Sequence, residues 1–186
     1  MPQLATVLIV PGIDDSGPSH WQTAWQGRLP RTARVVQSDW ARPQLADWVK
    51  GLERALDPLP GPVALAAHSL GCLTVAAWAA ARPQGPVAAA LLVAPPDPGA
   101  AAFPARAQGF SPLPRARLPF PALLVASQDD PFASLAFSQG TALAWGAGFH
   151  SAGSLGHINA ASNIGAWEQG LELFKRFCEG QGLQVG

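Results

Sequence analysis

Apolar runs typical of buried strands alternate with helical patterns along the chain. The strand-like runs lie near residues 5–11, 33–38, 62–67, 87–93, 121–127 and 147–152. The helical patterns lie near residues 19–28, 43–57, 71–82, 133–145 and 162–178. Strict alternation predicts an α/β fold, in which a mostly parallel sheet of about six strands carries helices on both faces. Because a length of 186 residues suits one such unit, we expect a single domain over residues 1–186.

The third strand-like run leads directly into a serine at a tight turn. The segment Val63–Gly71 reads VALAAHSLG, and a helical run over Cys72–Ala81 follows it. A strained strand-to-helix turn lifts a serine Oγ clear of a sheet, so this pattern predicts a nucleophile elbow at Ser69. Ala67 replaces the first glycine of the G-x-S-x-G motif, whereas Gly71 keeps the second. The alternative is that Ser69 only caps the following helix.

A candidate acid and a candidate base follow this serine in the order that such a site requires. Asp129 and Asp130 precede Pro131 after the strand-like run 121–127, at the sheet edge where parallel sheets place functional loops. His157 lies in a glycine-bearing loop after the last strand-like run. A nucleophilic serine needs such a base, and the base needs an orienting carboxylate. The alternative for the aspartates is a solvated turn that caps the next helix.

The loop after the first strand-like run could bind an oxyanion or a phosphate. The backbone N–H groups of Leu70 and Ile13 are the expected oxyanion donors, since Leu70 follows the nucleophile and Gly12 permits the turn before Ile13. The segment Gly12–Ser19 also has the glycine and hydroxyl spacing of a phosphate-binding loop. However, a proline replaces the lysine of that motif, and two adjacent aspartates would repel phosphate. We therefore expect acyl transfer here rather than nucleotide binding.

Composition argues against several classes of partner. The chain has 12 basic and 12 acidic residues, with no basic stripe, so we expect neither nucleic acid nor an anionic membrane surface as a partner. Cys72 and Cys178 are too few for a disulfide framework and lack metal-ligand spacing, so we expect no metal site. The apolar N-terminus lacks a basic region and a cleavage site, which favours a cytoplasmic protein.

Separated segments along the chain resemble one known family. They are Pro11-Gly12, Ser16 to Gln22, Asp39-Trp40, Pro43, Asp47 to Val49, Ala67 to Cys72, Leu91 to Asp97, Ser127 to Pro131, Gly156 to Asn159 and Trp167 to Gly170. This set is similar to the small α/β-hydrolases of the retinoblastoma-binding protein nine and YdeN type. The resemblance implies a cofactor-independent serine hydrolase with a three-layer α/β-hydrolase fold.

The resemblance also narrows the candidate residues. It implies a triad of Ser69, Asp130 and His157, because the acid of the family directly precedes the proline of its loop. Repulsion between two carboxylates gives an independent reason to expect only one aspartate at the imidazole. His20 and Gly12 are candidate substrate-pocket residues, since His20 recurs in the resemblance and its loop should border the oxyanion hole. The alternative for His20 is a structural hydrogen bond.

The irregular segment Pro95–Pro119 contains seven prolines. Proline at this density forbids a long helix, so the segment is predicted to be a turn-rich loop rather than a cap domain. A site without a cap should be shallow and favour small acyl groups. A flap carrying Phe103 and Phe110 could cover part of it.

These features predict a serine hydrolase that cleaves carboxylic esters or related acyl bonds through an acyl-enzyme. The expected substrate is a small acyl ester. The alternative is a protein-interaction module of the same fold that binds a protein partner and keeps a vestigial or secondary hydrolase site, which the resemblance to a protein-binding relative suggests.

Overall fold

Strands and helices alternate along the chain in the computed structural model. The strands are β1 (Gln3–Leu4), β2 (Thr6–Val10), β3 (Thr32–Arg34), β4 (Val63–His68), β5 (Val87–Val93), β6 (Ala122–Ala126), β7 (Gly148–Ser151) and β8 (Leu183–Gln184). The helices are α1 (Trp21–Arg28), α2 (Leu45–Leu56), α3 (Leu70–Ala81), α4 (Leu135–Trp145) and α5 (Glu168–Gly180), with a 3-10 turn at Ala160–Ser162. The structure describes residues 2–82 and 85–186, so Met1, Pro83 and Gln84 of the expected 1–186 domain lie outside the described residues.

One six-stranded sheet organises the molecule. Its strand order is β3-β2-β4-β5-β6-β7, and every neighbouring pair is parallel. The predicted α/β class and the parallel sheet of six strands are therefore confirmed. β1 and β8 pair in a separate two-stranded sheet, which was not predicted because two residues are too few to show a period.

Successive side chains of the central strands point to opposite faces of the sheet, and each face has its own apolar core. On one face, Leu8 of β2 shares a cluster with Trp48 of α2 and with residues of α3 and α4. On the other face, Ile9 of β2 shares a cluster with Trp25 of α1 and Phe174 of α5. This is the predicted arrangement of three layers. Among the described residues, no helix is long and apolar enough to cross a bilayer.

Two element boundaries differ from the sequence prediction by more than two residues. The helix expected over 162–178 begins only at Glu168, because Asn163, Gly165 and Trp167 have positive φ angles of 52°, 57° and 47° that an α-helix cannot contain. The strand expected over 33–38 ends at Arg34, and the chain then leaves the sheet so that Val36 is 70% exposed.

The proline-rich segment between β5 and β6 is a loop, as its composition predicts, and its two phenylalanines pack against the core. Phe110 is buried, and its ring centroid lies 6.0 Å from that of Trp48. Phe103 packs against the same core cluster. Backbone bonds from Leu45 N–H to the Gln108 carbonyl (3.0 Å) tie the loop to the start of α2. The two phenyl rings thus anchor the loop to the core.

Candidate active site

Ser69 occupies the turn between β4 and α3 in strained backbone. Its φ and ψ are 54° and −125°, a combination that residues other than glycine rarely adopt. The turn packs tightly on the first loop, since a Cβ at Gly71 would lie 2.4 Å from the Val10 carbonyl oxygen. The Ser69 hydroxyl makes no capping bond to α3. The helix-cap alternative for Ser69 is therefore wrong.

Ser69, His157 and Asp130 are joined by a continuous chain of hydrogen bonds. His157 Nε2 lies 2.9 Å from Ser69 Oγ, and His157 Nδ1 lies 3.0 and 2.9 Å from the two carboxylate oxygens of Asp130. Because an ionised carboxylate can only accept, Nδ1 carries the imidazole proton and Nε2 accepts from the serine hydroxyl. The side chains of His157 and Asp130 are only 9% and 3% exposed. An acyl-transfer site requires this arrangement, in which a serine bonds a histidine base and a carboxylate orients that base.

Asp129 bonds the loop beside the imidazole rather than the imidazole itself. Its Oδ1 accepts hydrogen bonds from Ser127 Oγ (2.7 Å) and from the Gly156 N–H (2.8 Å). These two bonds, the first being the larger cause, lower the pKa of the Asp129 carboxyl below its ordinary value. Ser127 Oγ in turn accepts from the Leu155 N–H at 2.8 Å. Asp129 and Ser127 together fix the loop that precedes His157, and sequence reasoning had given Ser127 no role.

Two buried side chains also bond the backbone of the loop that carries His157. His68 donates from Nε2 to the backbone carbonyl oxygen of His157, at 2.9 Å. Trp21 donates from Nε1 to the carbonyl oxygen of Ile158, at 2.8 Å. Both donors are buried. No periodicity or motif distinguishes a tryptophan or histidine that bonds a distant carbonyl from one that only packs, so the sequence carried no signal for these roles.

His20 caps α1 and also lies in the wall of the site. Its Nδ1 accepts from the backbone N–H of Gln22 at 3.2 Å, so the structural hydrogen bond considered for it is present. Burial, followed by the Coulombic effect of nearby Arg34, lowers the pKa of His20 to about 4. His20 is therefore neutral near pH 7. Gly12 lies in the same wall, and a Cβ there would be 2.9 Å from the Ser69 Cβ.

A cavity of about 610 Å³ opens above Ser69, within the size range of small-molecule sites. Ser69, His157 and Phe132 line it, and four residues of the proline-rich loop form another part of its wall: Pro96, Ala102, Pro104 and Arg106. The loop thus walls the cavity without forming a cap domain.

The charged groups at this cavity are paired. Arg106 donates to Asp14, with an Nη1–Oδ1 distance of 2.8 Å, and also to the Ala41 carbonyl oxygen. The hydrogen bond from Arg106 lowers the pKa of Asp14. Asp15 pairs with Arg34. Both aspartates at this cavity thus already have an arginine partner.

Two backbone donors remain free beside the serine. Leu70 and Ile13 both line the cavity, and their N–H groups bond no other group within residues 2–82 and 85–186. Leu70 is also the first residue of α3, where the helix dipole favours negative charge. These are the N–H groups expected from the sequence as oxyanion donors.

Comparison with known proteins identifies the family of this chain. A model of the serine hydrolase family matches residues 7–176. The chain belongs to the serine hydrolase family. No curated protein sequence gives a significant match to this serine hydrolase.

Several solved structures share the fold of this serine hydrolase. A YdeN-like hydrolase from Pectobacterium atrosepticum is 34% identical, with a TM-score of 0.84 over 96% of this chain and 92% of the other. The ydeN gene product of B. subtilis is 19% identical, with a TM-score of 0.77 over 94% and 99% of the two chains. Est1E from Butyrivibrio proteoclasticus is 14% identical, with a TM-score of 0.69 over 97% and 89%. The resemblance to small YdeN-type hydrolases is confirmed.

The described residues contain neither a cluster that could hold a metal ion nor an exposed cysteine. Within them, no group of three or more histidine, cysteine or acidic side chains is arranged to hold a metal ion. Cys72 and Cys178 are both buried and unpaired as disulfides. Burial raises the pKa of the Cys72 thiol, whose Sγ lies 3.4 Å from the Val93 carbonyl oxygen. Cys72 is thus a packing residue near Ser69 rather than a reactive thiol.

Proposed function

We propose that this serine hydrolase cleaves carboxylic esters or related acyl bonds through a covalent acyl-enzyme on Ser69. The observation that carries the proposal is the chain of hydrogen bonds from Ser69 through His157 to Asp130, in a cavity with two free N–H donors. Strained backbone at the serine supports it, because such strain persists where the surrounding structure holds a group for function.

In the acylation step, Ser69 Oγ attacks the carbonyl carbon while His157 Nε2 takes the hydroxyl proton. The carbonyl oxygen becomes an oxyanion, and the N–H groups of Leu70 and Ile13 donate to it. The tetrahedral intermediate collapses when the C–O bond to the leaving alcohol breaks. His157 then returns the proton to the alcohol oxygen, so that the alcohol leaves neutral.

In the deacylation step, water attacks the acyl carbon and His157 Nε2 takes its proton. The C–Oγ bond breaks, the proton passes to Ser69 Oγ, and the carboxylic acid is released. Asp130 stabilises the imidazolium that forms in each step, and it keeps Nδ1 protonated so that Nε2 faces the serine. Each step uses only residues of this chain and water.

The test is labelling and turnover in the intact protein. A fluorophosphonate probe should label Ser69, and p-nitrophenyl esters of graded acyl length should be hydrolysed. Ser69→Ala should abolish both while leaving the melting temperature nearly unchanged. A protein that stays unlabelled although folded, or a Ser69→Ala variant with unchanged turnover, would overturn the proposal. The unlabelled protein would instead favour the protein-interaction alternative.

A further inference from the structure

The tautomer of His68 is fixed by its neighbours. Its Nε2 faces the His157 carbonyl oxygen at 2.9 Å, and a carbonyl oxygen can only accept, so Nε2 carries the proton. Burial lowers the pKa of His68 well below its ordinary value, which keeps the ring neutral. Its other ring nitrogen, Nδ1, therefore presents a lone pair.

His20 has the same Nε2–H tautomer as His68, but its free nitrogen is the protonated one. Its Nδ1 accepts the Gln22 N–H, so Nδ1 carries the lone pair. In the neutral ring the proton is on Nε2, which is thus a donor.

Both free nitrogens face the cavity above Ser69. Within the described residues, neither His20 Nε2 nor His68 Nδ1 has a hydrogen-bond partner. Neither nitrogen is fully enclosed, since Gln37 Oε1 is the one side-chain polar atom of the described residues that is both enclosed and without a partner. The two nitrogens are therefore open to space rather than enclosed, and both residues line this cavity. Each residue is only 5% exposed. The donor His20 Nε2 and the acceptor His68 Nδ1 therefore lie in a largely buried part of the cavity wall.

We propose that His20 and His68 form a subsite for a hydroxyl group of the substrate, a role that rests on the proposed acyl-transfer function. A hydroxyl is the small neutral group that both accepts and donates through one oxygen. The ring centroids lie 4.8 Å apart with the rings edge to face, which is compatible with one oxygen contacting both rings. The His68 ring is also 5.0 Å from that of His157, so the subsite adjoins the reacting groups.

The paired charges of the cavity agree with this choice of ligand. A cationic or anionic substituent would need a free counter-charge, whereas Asp14 and Asp15 are already bound to arginines. An apolar substituent would leave the two nitrogens unsatisfied in a buried wall, which costs binding energy. The subsite thus selects substrates that carry a neutral hydroxyl near the scissile bond.

Two matched pairs of esters test the subsite. p-Nitrophenyl 3-hydroxybutyrate against p-nitrophenyl butyrate varies the acyl chain, and 2-hydroxyethyl butyrate against ethyl butyrate varies the alcohol. In at least one pair, kcat/KM should favour the hydroxylated ester by roughly tenfold, the scale of one neutral hydrogen bond. The responding pair shows on which side of the scissile bond the subsite lies. No preference in either pair would overturn the proposal.

Two variants of His20 take the N–H donor away from the position of Nε2 by different routes. His20→Phe keeps an aromatic ring but has no N–H and loses the cap of α1. His20→Asn keeps a capping oxygen, but its amide N–H groups are too close to the backbone to reach the position of Nε2. The preference ratio should collapse towards one in both. His150→Phe, a control on the exposed strand β7, should keep the wild-type ratio. A ratio that survives in both His20 variants, or equal losses of turnover on hydroxylated and plain esters, would overturn the subsite. The proposed function fails separately, through persistent turnover in Ser69→Ala.

Discussion

The indole of Trp21 donates a hydrogen bond to the carbonyl oxygen of Ile158, with an Nε1–O distance of 2.8 Å. Ile158 has a φ of 48°, a costly conformation for a β-branched residue. His68 bonds the preceding carbonyl, that of His157. Two consecutive carbonyls of this loop are thus held by buried side chains from α1 and β4. We infer that these two bonds fix the position of the His157 imidazole relative to Ser69 Oγ.

Trp21→Phe should therefore lower kcat by about tenfold with little change in KM, because a small displacement of a reacting group is costly. The matched control is Trp25→Phe. Trp25 lies one turn further along α1 and donates from Nε1 to Ala166 at 2.8 Å. Both variants should lose about 2 kcal/mol of stability, but only Trp21→Phe should lose turnover. Equal kcat in the two variants, measured on one activated ester, would contradict the positioning role.

The two adjacent aspartates should differ sharply on substitution. Asp130→Asn should cut kcat by roughly 10⁴, as the loss of the orienting carboxylate does in other triads, because an amide can hold the wrong tautomer. Asp129→Asn should change kcat only a few fold, since its Oδ1 bonds can be kept by an amide oxygen. Steady-state kinetics of both variants settle the assignment, and a larger loss from Asp129→Asn would reverse it.

Gly71→Ala should disrupt the elbow. The added Cβ would lie 2.4 Å from the Val10 carbonyl oxygen and 2.7 Å from that of Pro11. Both obstacles are backbone, so we expect a loss of about 3 kcal/mol and of most turnover. The control is Gly27→Ala on α1, where nothing lies within 4 Å. That change should stabilise the helix by about 0.5 kcal/mol. Chemical denaturation of the two variants checks the contrast, and similar free energies of unfolding would refute it.

Stability should fall with acidification below about pH 6.5, where unfolded imidazoles titrate. The folded pKa of His20 is lowered to about 4, and that of His68 is also lowered, mainly by burial. Between about pH 4 and pH 6.5 the unfolded chain binds more protons than the folded chain, so the free energy of unfolding rises with pH. Above about pH 6.5 the histidines are neutral in both states, and this contribution to stability is fully present. His20 alone contributes on the order of 3 kcal/mol over this range.

Urea unfolding at pH 7.5, 6.5, 5.5 and 4.5 measures this dependence. His20→Phe should have a shallower slope than the wild type, because it removes one of the protons taken up on unfolding. Identical slopes between pH 6.5 and 4.5 would show that His20 does not stay neutral in the folded protein.

The sequence by itself determined the order of the elements and the candidate reacting groups. Strand and helix periods are local properties of the chain, and so are the small residues around Ser69 and the glycine before His157. The position of Asp130 before Pro131 is equally local. A parallel sheet then brings the carboxyl ends of its strands to one edge, so the chain order alone predicts which groups can meet.

Only the tertiary structure decided how these groups are oriented. The bond from Ser69 to His157 spans 88 residues, and the bond from Trp21 to Ile158 spans 137. The positive φ angles of Ile158 and Trp167 likewise fall on residues with no intrinsic preference for them. Tautomers, loop anchors and left-handed backbone depend on partners that are distant in the chain. A local sequence pattern does not identify such partners, because a hydrogen bond depends on the distance and angle between its donor and acceptor, and folding sets both.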